Sequence, residues 1–178
     1  IFTNPQILKS SPFSLMQVLF RALFALLFFP LLAQAQQPIV LNDLSAWKTS
    51  NAAGANWQIA SDVSAAMDEK YNMVSKPGTG VLVNLPTDKD KANLLSVAEY
   101  GDVDVSFDFI MAAHSNSGFY LQGRYEVQLL DSWGVQSPRY GDCGGIYGRR
   151  RFVPEAQMYE GHAPRQNACT APGLWQHM

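Results

Sequence analysis

A hairpin of two strands is encoded in residues 116–131, which have the sequence NSGFYLQGRYEVQLLD. Successive side chains of a strand point to opposite faces, so Phe119 and Leu121 share one face, as do Tyr125 and Val127. A three-residue turn, Gln-Gly-Arg, pairs Leu121 with Tyr125 and Phe119 with Val127, and so keeps the apolar side chains together. A two-residue turn would mix the faces. The segment therefore predicts an antiparallel hairpin with a three-residue turn.

The same register gives this hairpin a second face of different chemistry. It places Tyr120 opposite Glu126 and Gly118 opposite Gln128. This face is polar and aromatic, and the glycine leaves it roomy. We therefore expect a functional site here rather than on the apolar face, although a solvated strand face would show the same period of two.

The rest of the chain also favours short strands. Residues 102–110 alternate acidic or hydroxyl side chains with valine and phenylalanine, the pattern of a half-buried antiparallel strand. From residue 132 onward glycine and proline are frequent, which predicts a loop-rich segment with little regular structure beyond 145–147. A new strand is expected at residues 174–178. The remaining predictions are strands at 56–60, 71–75 and 81–83, turns at 51–54 and 76–78, and a charged, exposed loop at 86–91. Such a chain predicts an all-β, antiparallel sandwich or jelly roll.

Composition narrows the class of protein. Hydrophobic residues make up 47% of the 178 residues, charged residues 16%, and the net charge is −2, so a packed core is expected. Apart from Arg149-Arg150-Arg151, which is more typical of a solvated loop, no basic stripe supports nucleic-acid binding. The sequence contains no P-loop, no G-x-S-x-G and no dinucleotide-binding motif.

The first residues have the features of a secretory signal. Met16 and Arg21 precede the apolar run 22–33, and Ala33-Gln34-Ala35 fits the A-x-A rule for cleavage after Ala35. The run is too short to span a bilayer as a helix. We therefore expect a periplasmic or secreted bacterial protein with no membrane segment in the mature chain. The expected divisions are an upstream extension that is not native at 1–15, a signal peptide at 16–35, and a β-sandwich domain at 36–178.

Two cysteines remain in the mature chain, Cys143 and Cys169. An oxidising compartment would permit a bridge between them, whereas small buried free thiols would fit the sequence equally well. Their spacing does not fit a zinc site. Sequence alone leaves the bridge open.

Three segments resemble one known family. Residues 116–131, with Gly144-Gly145-Ile146-Tyr147 and the later Ala171-Pro172-Gly173-Leu174-Trp175, are similar in content and order to the 3-keto-disaccharide hydrolase domains. The resemblance spans about residues 38–178. It implies a concanavalin-A-like sandwich, and it implies that the family's C-terminal strands are not among these residues, so that the domain is incomplete and truncated at its C-terminus.

The resemblance also implies a chemistry. A ketone at C3 of a sugar acidifies the C2 proton, so a base can remove it, the C1 substituent can leave, and water can add back. Such a site needs a base, a group that polarises the carbonyl, and an acid for the leaving group. We expect Glu126 to be the base or a metal ligand, so a divalent metal stays open as a cofactor. Arg124, Arg165 and His162 are candidate polarising groups.

A second carboxylate is suggested by a more distant likeness. Glu126-x-Gln128-x-x-Asp131 is similar to the E-x-D-x-x-E strand of glucanases that share this fold, where a β-bulge returns the last carboxylate to the cleft. The Gln and the Asp depart from that pattern and put a two-carboxylate mechanism in doubt. The predicted catalytic residues are Glu126, Asp131 and His162, and the predicted substrate-binding residues are Tyr120, Gln122, Arg124, Gln128, Tyr147 and Arg165.

Three functions remain open at this point. The first is a hydrolase that cleaves 3-keto-glycosides, with a carbohydrate as its partner and no nucleic acid. The second is a non-catalytic carbohydrate-binding module on the same fold, with exposed aromatic side chains in a shallow groove. The third is an inactive gene fragment. Trp133 and Trp175 are expected to pack in the core or at a sandwich edge, and Asp102, Asp104 and Asp108 to be exposed acids rather than a calcium site.

Overall fold

The computed structural model describes residues 37–50, 56–153 and 156–178. The predicted upstream extension, the signal peptide and the turn at 51–54 lie outside these ranges. Within them the chain forms ten strands and no helix, so no helix that could cross a membrane is found there. The strands are β1 (Trp47–Thr49), β2 (Trp57–Ala65), β3 (Met73–Asn84), β4 (Leu94–Ser96), β5 (Asp108–Ile110), β6 (Asn116–Leu121), β7 (Tyr125–Leu130), β8 (Ile146–Val153), β9 (Ala156–His162) and β10 (Trp175–His177).

All the strand pairs are antiparallel. The described part contains a four-stranded sheet of order β6-β7-β8-β9 and three two-stranded pairs, β1-β4, β5-β10 and β2-β3. The predicted all-β, antiparallel class is confirmed, and the arrangement is consistent with a β-sandwich. The described strands belong to one compact unit, Val40–Met178.

The core of this unit begins at the β2-β3 pair. Ala60, Val63 and Val83 are buried side chains of these two strands. Half-buried apolar side chains pack against them from β3, from β5 and from the residue after β3; they are Met73, Val81, Ile110 and Leu85. Removing this apolar surface from water stabilises the fold.

The turn predicted at 76–78 is wrong, because β3 continues through it. The register shifts here, with Ala60 opposite both Pro77 and Val81, so the surplus residues of β3 form a bulge. Gly78 has a φ of +145°, and a Cβ at this position would overlap the Ser61 side chain. Proline and glycine thus mark a bulge rather than a chain reversal.

The strand predicted at 102–110 is shorter than its alternation suggested. Only β5 (Asp108–Ile110) has a strand partner, β10, although Phe107 extends the pairing through two backbone hydrogen bonds with Met178 of 2.9 and 3.0 Å. Val103 and Val105 are 48% and 43% exposed. Alternation predicts which side chains share a face. The paired strand, however, extends only as far as its partner β10 does.

The loop-rich prediction after residue 132 missed a hairpin. Between residues 132 and 173 little regular structure beyond 145–147 was expected, whereas β8 and β9 pair over most of their length. Their arginines and glycines hide the period of two. The strand expected at 174–178 is present as β10. The loop predicted at 86–91 is confirmed, since it carries no strand and is mostly exposed.

Candidate functional site

The predicted hairpin register is confirmed in full. Leu121 pairs with Tyr125, Phe119 with Val127, and Tyr120 with Glu126. In the turn, Arg124 N–H donates to the Leu121 carbonyl at 3.0 Å. Gln122 and the glycine after it both have positive φ, the left-handed backbone conformation that reverses the chain tightly. Glycine is favoured there, and the turn fixes the phase of both strands.

Glu126 and Tyr120 form the centre of the polar face. Tyr120 lies opposite Glu126 across the two strands, and its hydroxyl interacts with the Glu126 carboxylate. The carboxylate folds over Gly118, where an added Cβ would overlap its Oε1. Glu126 is half-buried, and Tyr120 is 48% exposed. The roominess expected above Gly118 is thus filled by the Glu126 side chain, which Gly118 holds close to the sheet.

The electrostatics of this pair keep the phenol protonated. Partial burial raises the pKa of Tyr120 to about 12, and the hydrogen bond to Glu126, the charge of that carboxylate and the neighbouring Tyr147 add to the rise. A phenol of this kind donates a proton or a hydrogen bond at neutral pH and does not act as a base. In the pair, therefore, Glu126 is the group able to accept a proton.

A cleft of about 320 Å³ opens beside this pair. Tyr147 connects the two, because it lines the cleft and also acts electrostatically on Tyr120. The rings of Tyr140 and Tyr147 meet edge to face with centroids 5.8 Å apart. Both rings are partly exposed, at 41% and 43%. The lining residues are Arg139, Tyr140, Gly141, Asp142 and Tyr147. Such a cleft offers apolar ring surface together with charged and hydroxyl groups, which is what a polar ring-shaped ligand requires.

Two glycines of the β8-β9 hairpin leave the space that the Tyr140 side chain occupies. A Cβ at Gly161 would overlap Cβ and Cγ of Tyr140, and one at Gly148 would press on the edge of its ring. The register of β8 and β9 shifts between Ile146 and Arg149, the stretch that contains Gly148. Sequence reasoning missed Tyr140, since these two glycines looked like loop residues.

Gln128 is buried rather than presented to a ligand. It is 2% exposed, and its Nε2 donates to the Gly141 carbonyl at 3.1 Å. Its backbone bonds both Gly144 and Gly145. Its Oε1 has no hydrogen-bond partner among the described residues. Gln128 thus holds the loop that carries the cleft, and its predicted contact with sugar hydroxyls stays a prediction.

Two further cleft residues, Arg139 and Asp142, were not predicted. The Asp142 carboxylate accepts the Arg139 backbone N–H at 2.6 Å, which closes the loop around Tyr140 and Gly141. An aspartate that closes a turn three residues back is a common local pattern. The sequence PRYGD carried this signal, but nothing in it indicated that the turn borders a cleft.

The two other predicted catalytic residues have other surroundings. The Asp131 carboxylate accepts the backbone N–H of His114 at 2.8 Å and that of Trp133 at 3.4 Å, so it ties two loops together. His162 pairs with Ile146, in the row of Val127 rather than that of Glu126. Opposed residues of an antiparallel ladder share a face, so the register gives His162 the other face of the sheet. Their catalytic roles remain predictions, without contacts that bring them to Glu126.

The remaining predicted residues lie on exposed loops. Gln122 and Arg124 are at the tip of the β6-β7 hairpin, and Arg165 follows β9. Trp133 is 56% exposed, which contradicts a place in the core. Among the predicted binding residues, the structure brings Tyr120 and Tyr147 to Glu126.

The donor set around Glu126 does not favour a metal. Among the described residues, no group of three or more His, Cys, Asp or Glu side chains could hold an ion. The partner of Glu126 is a protonated phenol, which is a poor ligand for a hard divalent cation.

A second polar cluster joins β5 to β10. His177 Nδ1 contacts Asp108 Oδ1 at 2.7 Å, and its Nε2 contacts Ser106 Oγ at 3.0 Å. This connectivity is that of a Ser-His-Asp triad, but the His177 and Asp108 side chains are 69% and 70% exposed. Water competes for each contact at such exposure. We assign the cluster to strand alignment.

The fold and the site together define a class: an all-β domain with an acid–phenol pair beside a tyrosine-lined cleft. The model of the family described as the 3-keto-alpha-glucoside-1,2-lyase-like domain matches residues 39–178. The chain belongs to this family, the one its sequence resembled. No curated protein and no solved structure matches the chain. A carbohydrate-active role follows from the family.

Proposed function

We propose that this protein cleaves glycosides whose sugar carries a ketone at C3, by base-assisted elimination across C2 and C1. Membership of the 3-keto-glucoside lyase-like family supports the substrate class. The observation that carries the mechanism is the cross-strand pairing of Tyr120 with Glu126, next to Tyr147 of the cleft. It pairs one group able to accept a proton with one able to donate.

The proposed reaction has two stages. Glu126 takes the C2 proton, and the electron pair of that bond moves toward C3 to give an enolate. The enolate then collapses, the bond between C1 and the glycosidic oxygen breaks, and a C1–C2 double bond remains. The departing oxygen takes a proton and leaves as an alcohol. Water adds across the double bond, returning hydrogen to C2 and hydroxyl to C1.

Tyr120 and Arg139 supply the other two groups that this chemistry needs. The Tyr120 phenol stays protonated, because its pKa is raised to about 12, and so can donate to the departing oxygen. Arg139 lines the cleft, where a guanidinium would stabilise the negative charge that develops on the C3 oxygen. Arg139 thereby takes the polarising role that the sequence suggested for Arg124, Arg165 or His162.

A non-catalytic carbohydrate-binding module is the second candidate. The partial exposure of Tyr120, Tyr140 and Tyr147 favours it, because exposed rings can stack on sugars without any chemistry. The two functions differ in their need for Glu126. A binding module tolerates loss of its proton-accepting group, whereas an elimination does not.

The test compares a chromogenic 3-keto-glucoside with its unoxidised parent, using the protein at its full natural length. Release of the aglycone from the keto sugar alone is the expected result. Glu126→Gln should slow that release by about 10²- to 10⁴-fold, the usual worth of a positioned base. Glu99→Gln is the control, because it makes the same chemical change at an exposed acid outside the strands.

Three other outcomes are informative. Equal cleavage of the parent glycoside would contradict the elimination. Binding of the sugar without turnover, unchanged in Glu126→Gln, would favour the binding module. A loss of activity with EDTA that added divalent metal restores would show that the reaction needs a metal, which contradicts the mechanism proposed here.

A further inference from the structure

The two cysteine thiols are brought together from distant parts of the chain. Cys143 lies in the loop between β7 and β8 and is 7% exposed, and Cys169 lies half-buried between β9 and β10. Both are free in the structure, and the two thiols interact with each other. Cys169 Sγ lies 3.6 Å from the Leu130 carbonyl oxygen, at the end of β7. They are the only cysteines among the 178 residues.

Their backbones are held in place by a shared set of hydrogen bonds. Cys143 N–H donates to Ser132 Oγ at 3.2 Å, and Cys169 N–H donates to Asn167 Oδ1 at 3.1 Å. Asn167 in turn donates from Nδ2 to the carbonyls of Ser132 at 2.6 Å and Val135 at 3.0 Å. These hydrogen bonds therefore hold the loop before β8 and the segment after β9 together near the two cysteines, without a covalent bond.

We propose that Cys143 and Cys169 are a disulfide-forming pair that is oxidised by thiol–disulfide exchange with an external disulfide. One thiolate attacks a sulfur of the external disulfide, forms a mixed disulfide and displaces one thiol. The second cysteine attacks the mixed disulfide, closes the Cys143–Cys169 bond and displaces the other thiol. Two protein thiols are oxidised, and one external disulfide is reduced to two thiols.

The surroundings decide which cysteine attacks first. Hydrogen bonds from Cys143, Ser132 and Gln176 lower the pKa of Cys169 to about 6 against the effect of its burial. The same contact and burial raise the pKa of Cys143. Cys169 is also the more exposed of the two. It is therefore the attacking thiolate at neutral pH, and Cys143 is the resolving thiol.

The bond would secure the loop that carries the cleft. Arg139, Gly141 and Asp142 lie just before Cys143, and a bridge to Cys169 fixes the end of their loop to the segment that precedes β10. It would close a covalent loop around the β8-β9 hairpin, which restricts the unfolded chain. Oxidation is expected to raise the thermal midpoint by about 4 to 12 °C.

The test uses the protein at its full natural length, incubated with oxidised glutathione, then unfolded and alkylated without reductant. Peptide mapping should find Cys143 and Cys169 in one cross-linked pair, two hydrogen atoms lighter than the free peptides. The thermal midpoint should fall when dithiothreitol is added. Alkylation of both cysteines after oxidation, or a glutathione adduct on Cys169 as the final product, would overturn the proposal.

A variant separates the bond from other effects of reductant. Cys169→Ser retains a small hydrogen-bonding side chain at the half-buried position. Its thermal midpoint should be the same with and without dithiothreitol, and Cys143, its one remaining cysteine, should carry no glutathione after exchange at neutral pH that is quenched by alkylation. A reductant-dependent midpoint in this variant would contradict the proposal, because no bridge can form.

Discussion

Tyr120 has the residue-scale property that is easiest to measure. Its pKa is raised to about 12, whereas a free phenol ionises near pH 10. The folded state thus keeps a proton that the unfolded chain releases. The stability that this proton contributes is fully present below about pH 10. It is lost as the pH rises from about 10 to about 12, because the unfolded chain releases the proton first.

Ultraviolet absorption of tyrosinate should therefore show one late-ionising tyrosine, near pH 12. Tyr120→Phe should remove this step, and Glu126→Gln should move it to lower pH by deleting the charge. Tyr125→Phe is the control, because it removes a phenol of equal exposure, 48%, from the neighbouring strand. A late step that survives Tyr120→Phe would show that another tyrosine is responsible.

A second prediction at the residue scale concerns Gly118. A methyl group at this position would overlap the Glu126 carboxylate, so Gly118→Ala should displace that group. Displacement of a reacting group by about 1 Å can cost about 10²-fold in rate. The turnover of the 3-keto-glucoside by Gly118→Ala is the measurement.

The comparison for that variant is Gly101→Ala, which adds a methyl group to open space. It should leave turnover unchanged. Full activity in Gly118→Ala, with a folded protein, would mean that the position of Glu126 over Gly118 is unimportant.

At the scale of elements, the β8-β9 hairpin supports the cleft because it packs against Tyr140, which lines the cleft. Gly161→Ala would press a methyl group against Cβ and Cγ of Tyr140, and the Cβ atom cannot move unless the backbone moves. We expect a loss of about 1 to 3 kcal/mol in the free energy of unfolding, the usual cost of overpacking. Denaturant unfolding measures it.

A double-mutant cycle identifies the cause of that loss. In a Tyr140→Ala background the ring is gone, so Gly161→Ala should cost much less. An equal cost in both backgrounds would mean that the strain lies in the β9 backbone and not in the contact with Tyr140.

The elements also show where sequence reasoning succeeds. The hairpin of β6 and β7 was predicted with its register, because one turn length alone keeps Phe119 and Val127 on one face. That register predicted the pairing of Tyr120 with Glu126. The β8-β9 hairpin was missed, because Gly148 and Gly161 look like loop residues, whereas they pack against the ring of Tyr140 from the loop before β8. Local patterns carry no signal for such a contact.

At the scale of the whole molecule, strand alternation predicted the class but not the pairing. The alternation at 102–110 is real as a pattern, yet only Asp108–Ile110 pairs with β10. Likewise, the cleft residues Arg139 and Asp142 belong to a turn with an ordinary local sequence. Their role depends on Gln128, a buried residue of β7 that holds the Gly141 carbonyl. Tertiary contacts of this kind lie beyond what alternation can predict.

The central claim is that the C2–H bond breaks when the aglycone leaves. The most direct measurement is proton NMR of the reaction of a 3-keto-glucoside in deuterium oxide, with Glu126→Gln and an enzyme-free sample correcting for spontaneous exchange. The account predicts that the C2 proton signal is lost from the sugar product at the rate at which aglycone appears. A released sugar that keeps its C2 proton would contradict the account.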